Sequence, residues 1–397
     1  MNDKIPVKLA DRMAHIEPFH VMSLLASARQ MEAQGRHIVH MEIGEPDFVT
    51  PEPVMRAAAL ALHQGQTHYT PAVGLALLRE RIAGFYASRF KVIVDPEQII
   101  ITPGASGALL LALGVLVNPG DKVVLSDPGY PCNRHFVRMY DGEPVCLPVD
   151  ASSRYQLTVE VLTKAGIDPI TAVMLASPSN PTGTTLAPGE INEWIAFANA
   201  KQTYLLMDEI YQGLVYDTES TTIAGKSERT FVINSFSKYF CMTGWRLGWL
   251  LVPPGYQPHV DKLAQNIFLA PSTVAQYAAL AAFEPDTLAI LEERRQEFQR
   301  RRDFLAAAIQ DLGFRLLVVP QGAFYLYADC SELTDDSFAF CHRLLKDAGV
   351  AITPGKDFGA HASQRYVRFA YTTSMDQLQT GVERIRQFLV HGRSENP

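Results

Sequence analysis

From about residue 98 the chain alternates short β-rich runs with helical stretches: "IIIT", "SGALLLALGVL", "KVVLSD", "ITAVMLASP", "INEWIAFANA", "YLLMDE", "TFVINSF" and "LGWLLVP". That rhythm leaves few folds open. A strand that returns through a helix rejoins its sheet as a parallel neighbour, and the helices then cover both faces. The expectation is an α/β domain with a mostly parallel central sheet. Ligands of such sheets bind beyond the C-terminal ends of the strands. Three runs end in chemically useful residues: Ser177 to Asn180 after "AVMLA", Asp208 after "YLLM", and Ser235 to Lys238 after "VIN". These ends are predicted to converge on one place.

After the charged helical stretch "LEERRQEFQRRRDFLAAAIQDLG" the pattern shortens through "GAFYLYAD", "AFCHRLLKDAG" and "YVRFAY". This predicts a large domain over residues 50–292 and a small C-terminal domain over 293–397. The opening segment, residues 1–49, reads as helical and then extended, and is expected to pack with the small domain.

Composition narrows the partners. A net charge of −7 over 397 residues, with no clustered basic face, argues against nucleic acid and membrane surfaces and for small molecules. The longest apolar run, "ALLLALGVLV", falls short of the ~20 residues that span a bilayer. Five scattered cysteines have neither metal-pair nor redox spacing, which suits a reducing, cytoplasmic setting. None of the eleven histidines sits in a His-Glu-x-x-His set, so no metal is expected. "AGKSE" lacks the first glycine and the leading strand of a phosphate-binding loop.

Each chemical motif has an ordinary structural meaning when taken alone. Lys238 could be a surface lysine whose stem lies on the core. Held in a desolvated pocket, it would instead lose its proton readily and form an imine with a carbonyl. Arg246, in "MTGWRLGW", would need an anion to offset its burial. Asp208 could end a turn or accept from a protonated ring nitrogen. "SPSNPTG" is common turn chemistry. "ITPGASGALLLALGVL" reads as a strand, a small-residue turn and a helix start that offers free N–H groups to an anion.

Together, in this order and spacing, the small-residue turn at 104–107, the Asn-Pro-x-Gly at 180–183, Asp208 with Tyr211, and Ser235-x-Ser-Lys238 followed by Arg246 resemble the class I and II aminotransferases of pyridoxal-phosphate fold type I. The resemblance extends to "IGEPDF", "HYTPAVGLALLRE", "PQGAFYLYAD" and "YVRFAY", covering nearly the whole chain. It implies a mixed, mostly parallel seven-stranded sheet sandwiched by helices, beside a smaller α+β domain. It also implies pyridoxal 5'-phosphate as cofactor, bound to Lys238 through a Schiff base. Asp208 matches the carboxylate that pairs with the pyridine nitrogen. Asn180 and Tyr211 match the groups that hydrogen-bond the phenolic oxygen. Gly104, the Ala105 N–H, Ser106, Ser235 and Arg246 match the phosphate cradle. Tyr130 falls where the family stacks an aromatic ring on the cofactor. Tyr69 matches a tyrosine that reaches the neighbouring subunit's phosphate, which implies a homodimer with shared active sites. Arg368, Asn180 and Gly44 match the substrate α-carboxylate site.

These correspondences imply a ping-pong transamination in which Lys238, Asp208 and Tyr211 carry the catalysis. "KLAQNIFLAPSTVAQYAA" has no arginine for a side-chain carboxylate. With Ile16, Phe19 and Phe324 in segments that border the family's pocket, this points to a neutral, hydrophobic or aromatic amino donor and 2-oxoglutarate as acceptor. The same residues also support carbon–sulfur lysis, decarboxylation or an aspartate-type transamination, because the cofactor does the hard chemistry.

Overall fold

A computed structural model describes residues 7–394. The strands, in chain order, are β1 (Val39–His40), β2 (Ile99–Thr102), β3 (Lys122–Asp127), β4 (Glu143–Pro148), β5 (Ala172–Ala176), β6 (Tyr204–Asp208), β7 (Thr230–Ser235), β8 (Gly248–Leu251), β9 (Tyr325–Asp329), β10 (Val350–Ala351), β11 (Thr353–Pro354) and β12 (Tyr366–Ala370). Seven of them form one mixed sheet in the order β2-β8-β7-β6-β5-β3-β4. Only β8 runs antiparallel to its neighbours. The cause is local: the link from Phe236 to Leu247 contains one 3-10 turn, Thr243–Trp245, and no crossover helix to carry the chain back for a parallel return.

The sheet is buried on both faces, and successive residues divide between two cores. Ile99, Ile101, Val173, Leu175, Leu205 and Met207 join one apolar cluster, while Ile100, Ala172, Met174, Leu206, Phe231 and Ile233 join the other. Period-two alternation explains this division, and each fully buried aliphatic chain contributes about 1.5–3 kcal/mol. The Gly104–Leu116 helix, apolar nearly all round, packs into the second cluster and starts at the C-terminal end of β2. β4 was not among the runs read from the sequence. It is an edge strand whose residues are mostly exposed or half-buried, and Pro144 and Pro148, tolerated at an edge, disguise it.

A three-stranded antiparallel sheet, β11-β12-β9, and the parallel pair β1-β10 form the remainder. The opening segment is tied to these smaller sheets. β1 pairs with β10, and the Asp357 carboxylate accepts from the N–H groups of His20 and Val21 at the start of the His20–Ala33 helix. The 27-residue Pro285–Asp311 helix carries buried Arg301, which pairs with Asp47, and buried Arg302, which pairs with Asp217. Its charged sequence thus serves to bind neighbouring segments as well as to meet solvent.

Candidate active site

The C-terminal ends of β5, β6 and β7 open on a cavity of about 510 Å³ that reaches across to β9 and β12. A second cavity of about 530 Å³ lies at the other end of the strands, beside Thr230 and Val252. Volume therefore does not choose between them, but side-chain chemistry does.

Asp208 closes β6 and lines the first cavity. Burial raises its pKa to about 6, against the opposing pull of the Ile210 N–H, which donates to Oδ1 at 3.0 Å, and of the Lys238 charge. Lys238 stands just past β7, with part of its surface open to the cavity. Its Nζ donates to the Gly44 carbonyl at 2.6 Å. Desolvation draws its pKa down to about 8; Arg368 and Arg246 act in the same direction, and Glu45 and Asp208 oppose them. At neutral pH this amine carries a far larger neutral fraction than a surface lysine.

Arg246 lies on the same β7–β8 connection, in the left-handed region at φ 52°. Its Nη1 donates to the Thr243 carbonyl at 3.0 Å, and no carboxylate lies within ion-pair distance among the described residues. The guanidinium rests against the first turn of the Gly104–Leu116 helix, where a Cβ on Gly104 would come 2.6 Å from Nη2. Gly248 is equally constrained: its Cβ would stand 2.8 Å from the Gly104 carbonyl carbon. The two glycines let a cation and a helix N-terminus meet, and unpaired N–H groups at such a terminus favour an anion. Ala105 and Ser106 line the cavity there. So does Ser237, which the sequence reading did not single out. Ser235 lies behind it, its hydroxyl bonded to Ser237 Oγ and to the Leu247 carbonyl.

The opposite wall is built on β12. Arg368 is buried, with Nη1 donating to Asn180 Oδ1 at 2.9 Å and Nη2 donating to the Glu42 carbonyl, while Nε has no partner. Thr353 Oγ1 donates to the same carbonyl. The Glu42 side chain is fully buried and bonded to His40, whose pKa that bond lifts to about 9. Glu42 is thereby held on both sides, and it steadies the arginine. A guanidinium donor left open in a buried cleft suits a carboxylate.

Between these two ends, Tyr211 and Tyr325 place their hydroxyls 2.8 Å apart, and burial keeps both phenols protonated. Tyr130, just beyond β3, completes this wall. Phe19, Val21, Met22, Leu25 and Arg29 close the cavity from the N-terminal segment. Ile16 does not line it, and Phe324 is buried just beneath it, its ring 5.9 Å from Lys238 Nζ and edge-on to the rings of Tyr211 and Tyr325. Tyr325, its neighbour in the chain, is the residue that lines the cavity. Tyr69 is 81% exposed and lies outside its own chain's cavity.

The arrangement therefore has a cradle suited to an anion at one end and a buried arginine suited to a carboxylate at the other, with a weakly basic amine and a buried acid between. The cradle that glycine leaves around Arg246, the easily deprotonated amine and Asp208 together fit a phosphorylated pyridine aldehyde. Comparison with known proteins agrees. Residues 36–385 match the family model described as aminotransferase class I and II. The valine–pyruvate aminotransferase of Mycobacterium tuberculosis is 38% identical over 98% of this chain and 99% of its own. The (5-formylfuran-3-yl)methyl phosphate transaminase of Methanocaldococcus jannaschii is 38% identical over 96% of this chain and 99% of its own. The crystal structure of an aminotransferase from Mycobacterium tuberculosis superposes with a TM-score of 0.93 at 38% identity, covering 97% of this chain and all of that one.

Proposed function

The chain belongs to the class I and II aminotransferases, enzymes dependent on pyridoxal 5'-phosphate, and from that premise we propose that it transfers the α-amino group of a neutral, hydrophobic or aromatic L-amino acid to 2-oxoglutarate by a ping-pong mechanism. The observation that carries this reading is the apolar face of the His20–Ala33 helix: Met22 and Leu25, with Phe19 and Val21, wall the cavity where a substrate side chain would lie. The valine-specific name of one relative supports the same class. Arg29, four residues after Leu25, continues that face and is the cation available to the second carboxylate of 2-oxoglutarate.

When bound, pyridoxal 5'-phosphate supplies the electron sink for the Cα–H bonding pair. Arg246, the Ala105 N–H and the Ser106 and Ser237 hydroxyls, with Gly104 giving the helix terminus its close approach, would hold the phosphate, and Ser235 would steady Ser237 from behind. Tyr130 would flank the ring. Asp208, ionised above about pH 6, would keep a proton on the ring nitrogen by its opposite charge. Asn180 and Tyr211 would bond the phenolic oxygen, and Asn180 also orients Arg368. Arg368 grips the substrate carboxylate beside Gly44. Lys238 Nζ, held near the midpoint of its titration, would take the α-proton and give it back as the general base. Tyr69, exposed in the single chain, would serve the partner subunit's site in a homodimer.

A panel of amino donors with 2-oxoglutarate tests the reading. Branched or aromatic donors should lead, giving stoichiometric oxo acid without net ammonia or carbon dioxide; a strong preference for aspartate would refute the substrate class.

A further inference from the structure

Tyr325, the first residue of β9, is 1% exposed and was not anticipated from the sequence. It touches three separate parts of the site. Arg368 is opposite Tyr327 across the β12–β9 pair, and Tyr325 lies two residues along on the same face, so its ring comes under the guanidinium at 4.2 Å. Its hydroxyl rests against Gly44, where a Cβ would stand 1.8 Å from it. The same hydroxyl is 2.8 Å from Tyr211 Oη.

A phenol has one proton to donate. Tyr211 Oη is the one hydrogen-bonding neighbour of Tyr325 Oη among the described residues, and both tyrosines line the cavity. In a pair of hydroxyls the more acidic one donates, and of these two Tyr325 is the more acidic, because the Arg368 charge lies directly over its ring. That order frees the Tyr211 proton for an anionic oxygen in the cavity. We propose that Tyr325 is a positioning residue for Tyr211: its O–H donates to Tyr211 Oη, so that the Tyr211 proton is directed into the cavity toward the phenolic oxygen of the cofactor. This rests on the reading of Tyr211 given above. The Arg368 guanidinium over the Tyr325 ring strengthens that O–H as a donor, since its charge favours the ionised phenol. Chained donors polarise one another, so the Tyr325 bond also makes Tyr211 a better donor.

The test is the pH midpoint of the visible absorption of the cofactor-loaded enzyme, compared among wild type, Tyr211→Phe, Tyr325→Phe and the double variant. A donor to the anionic oxygen stabilises the deprotonated chromophore, so weakening it moves the midpoint up. Tyr211→Phe should raise the midpoint by about one unit. Tyr325→Phe should raise it by about half a unit, roughly threefold in the acid constant. The double variant should match Tyr211→Phe alone, because the effect of Tyr325 passes through Tyr211. Replacing Tyr325 with 3-fluorotyrosine, a stronger donor of nearly the same shape, should lower the midpoint. Additive shifts in the double variant would overturn the proposal, as would an unmoved midpoint in Tyr325→Phe when Tyr211→Phe has moved. An unmoved midpoint in Tyr211→Phe would overturn the reading of Tyr211 itself, and the proposal with it.

Discussion

The depressed pKa of Lys238 can be measured directly in protein stripped of its cofactor. With a pKa of about 8, roughly 9% of the amine is neutral at pH 7, against about 0.03% for a lysine at its ordinary 10.5, a ratio of about 300. Trace labelling with an acylating reagent over pH 6–11, followed by mass spectrometry of the Lys238 peptide, reads this fraction against surface lysines. Half-maximal labelling should fall near pH 8. Two substitutions set the sign of the electrostatics. Asp208→Asn removes an anion that favours the ammonium form and should move the midpoint down, whereas Arg368→Gln removes a repelling cation and should move it up. A midpoint near 10, or both variants shifting the same way, would refute the argument that burial and these two charges set the basicity of Lys238.

Hydride reduction of the loaded enzyme should fix the cofactor on the Lys238 peptide, and Lys238→Ala should lower turnover by about a hundred- to ten-thousand-fold with the fold retained by circular dichroism. Gly104→Ala should weaken cofactor binding by about tenfold in equilibrium dialysis, because Gly104 has φ +69° and a Cβ there would press on Arg246. Arg29→Gln should raise the KM for 2-oxoglutarate by about tenfold while leaving that for pyruvate unchanged, since only the former carries a second carboxylate.

The central strands were legible because burial on both faces makes them continuous apolar runs: "AVMLA", "YLLMD" and "TFVINS" need no partner to be recognised. β4 escaped because an edge strand with two prolines carries no such run. The antiparallel turn of β8 entered only as the mixed sheet that the family resemblance implies, for apolar patterning does not encode strand direction. Within the site, Lys238, Asp208 and Asn180 stand at strand ends, where position in the chain predicts position in space. Tyr325 and the Glu42 carbonyl do not. Each matters through a neighbour far away in sequence, Tyr211 at 114 residues and Arg368 at 326, and no local pattern reports such meetings.

The β7–β8 connection places both Lys238 and Arg246 on one short loop anchored by strands at each end. In the proposed reading, the residues that would hold the aldehyde and the phosphate of the cofactor are therefore encoded as a single cassette. The helix that walls the substrate side chain is encoded more than two hundred residues earlier, so substitutions there can retune which amino acid is accepted without disturbing the reactive machinery. Relatives of comparable similarity that act on a branched amino acid and on a furan phosphate are what such a division of labour would produce.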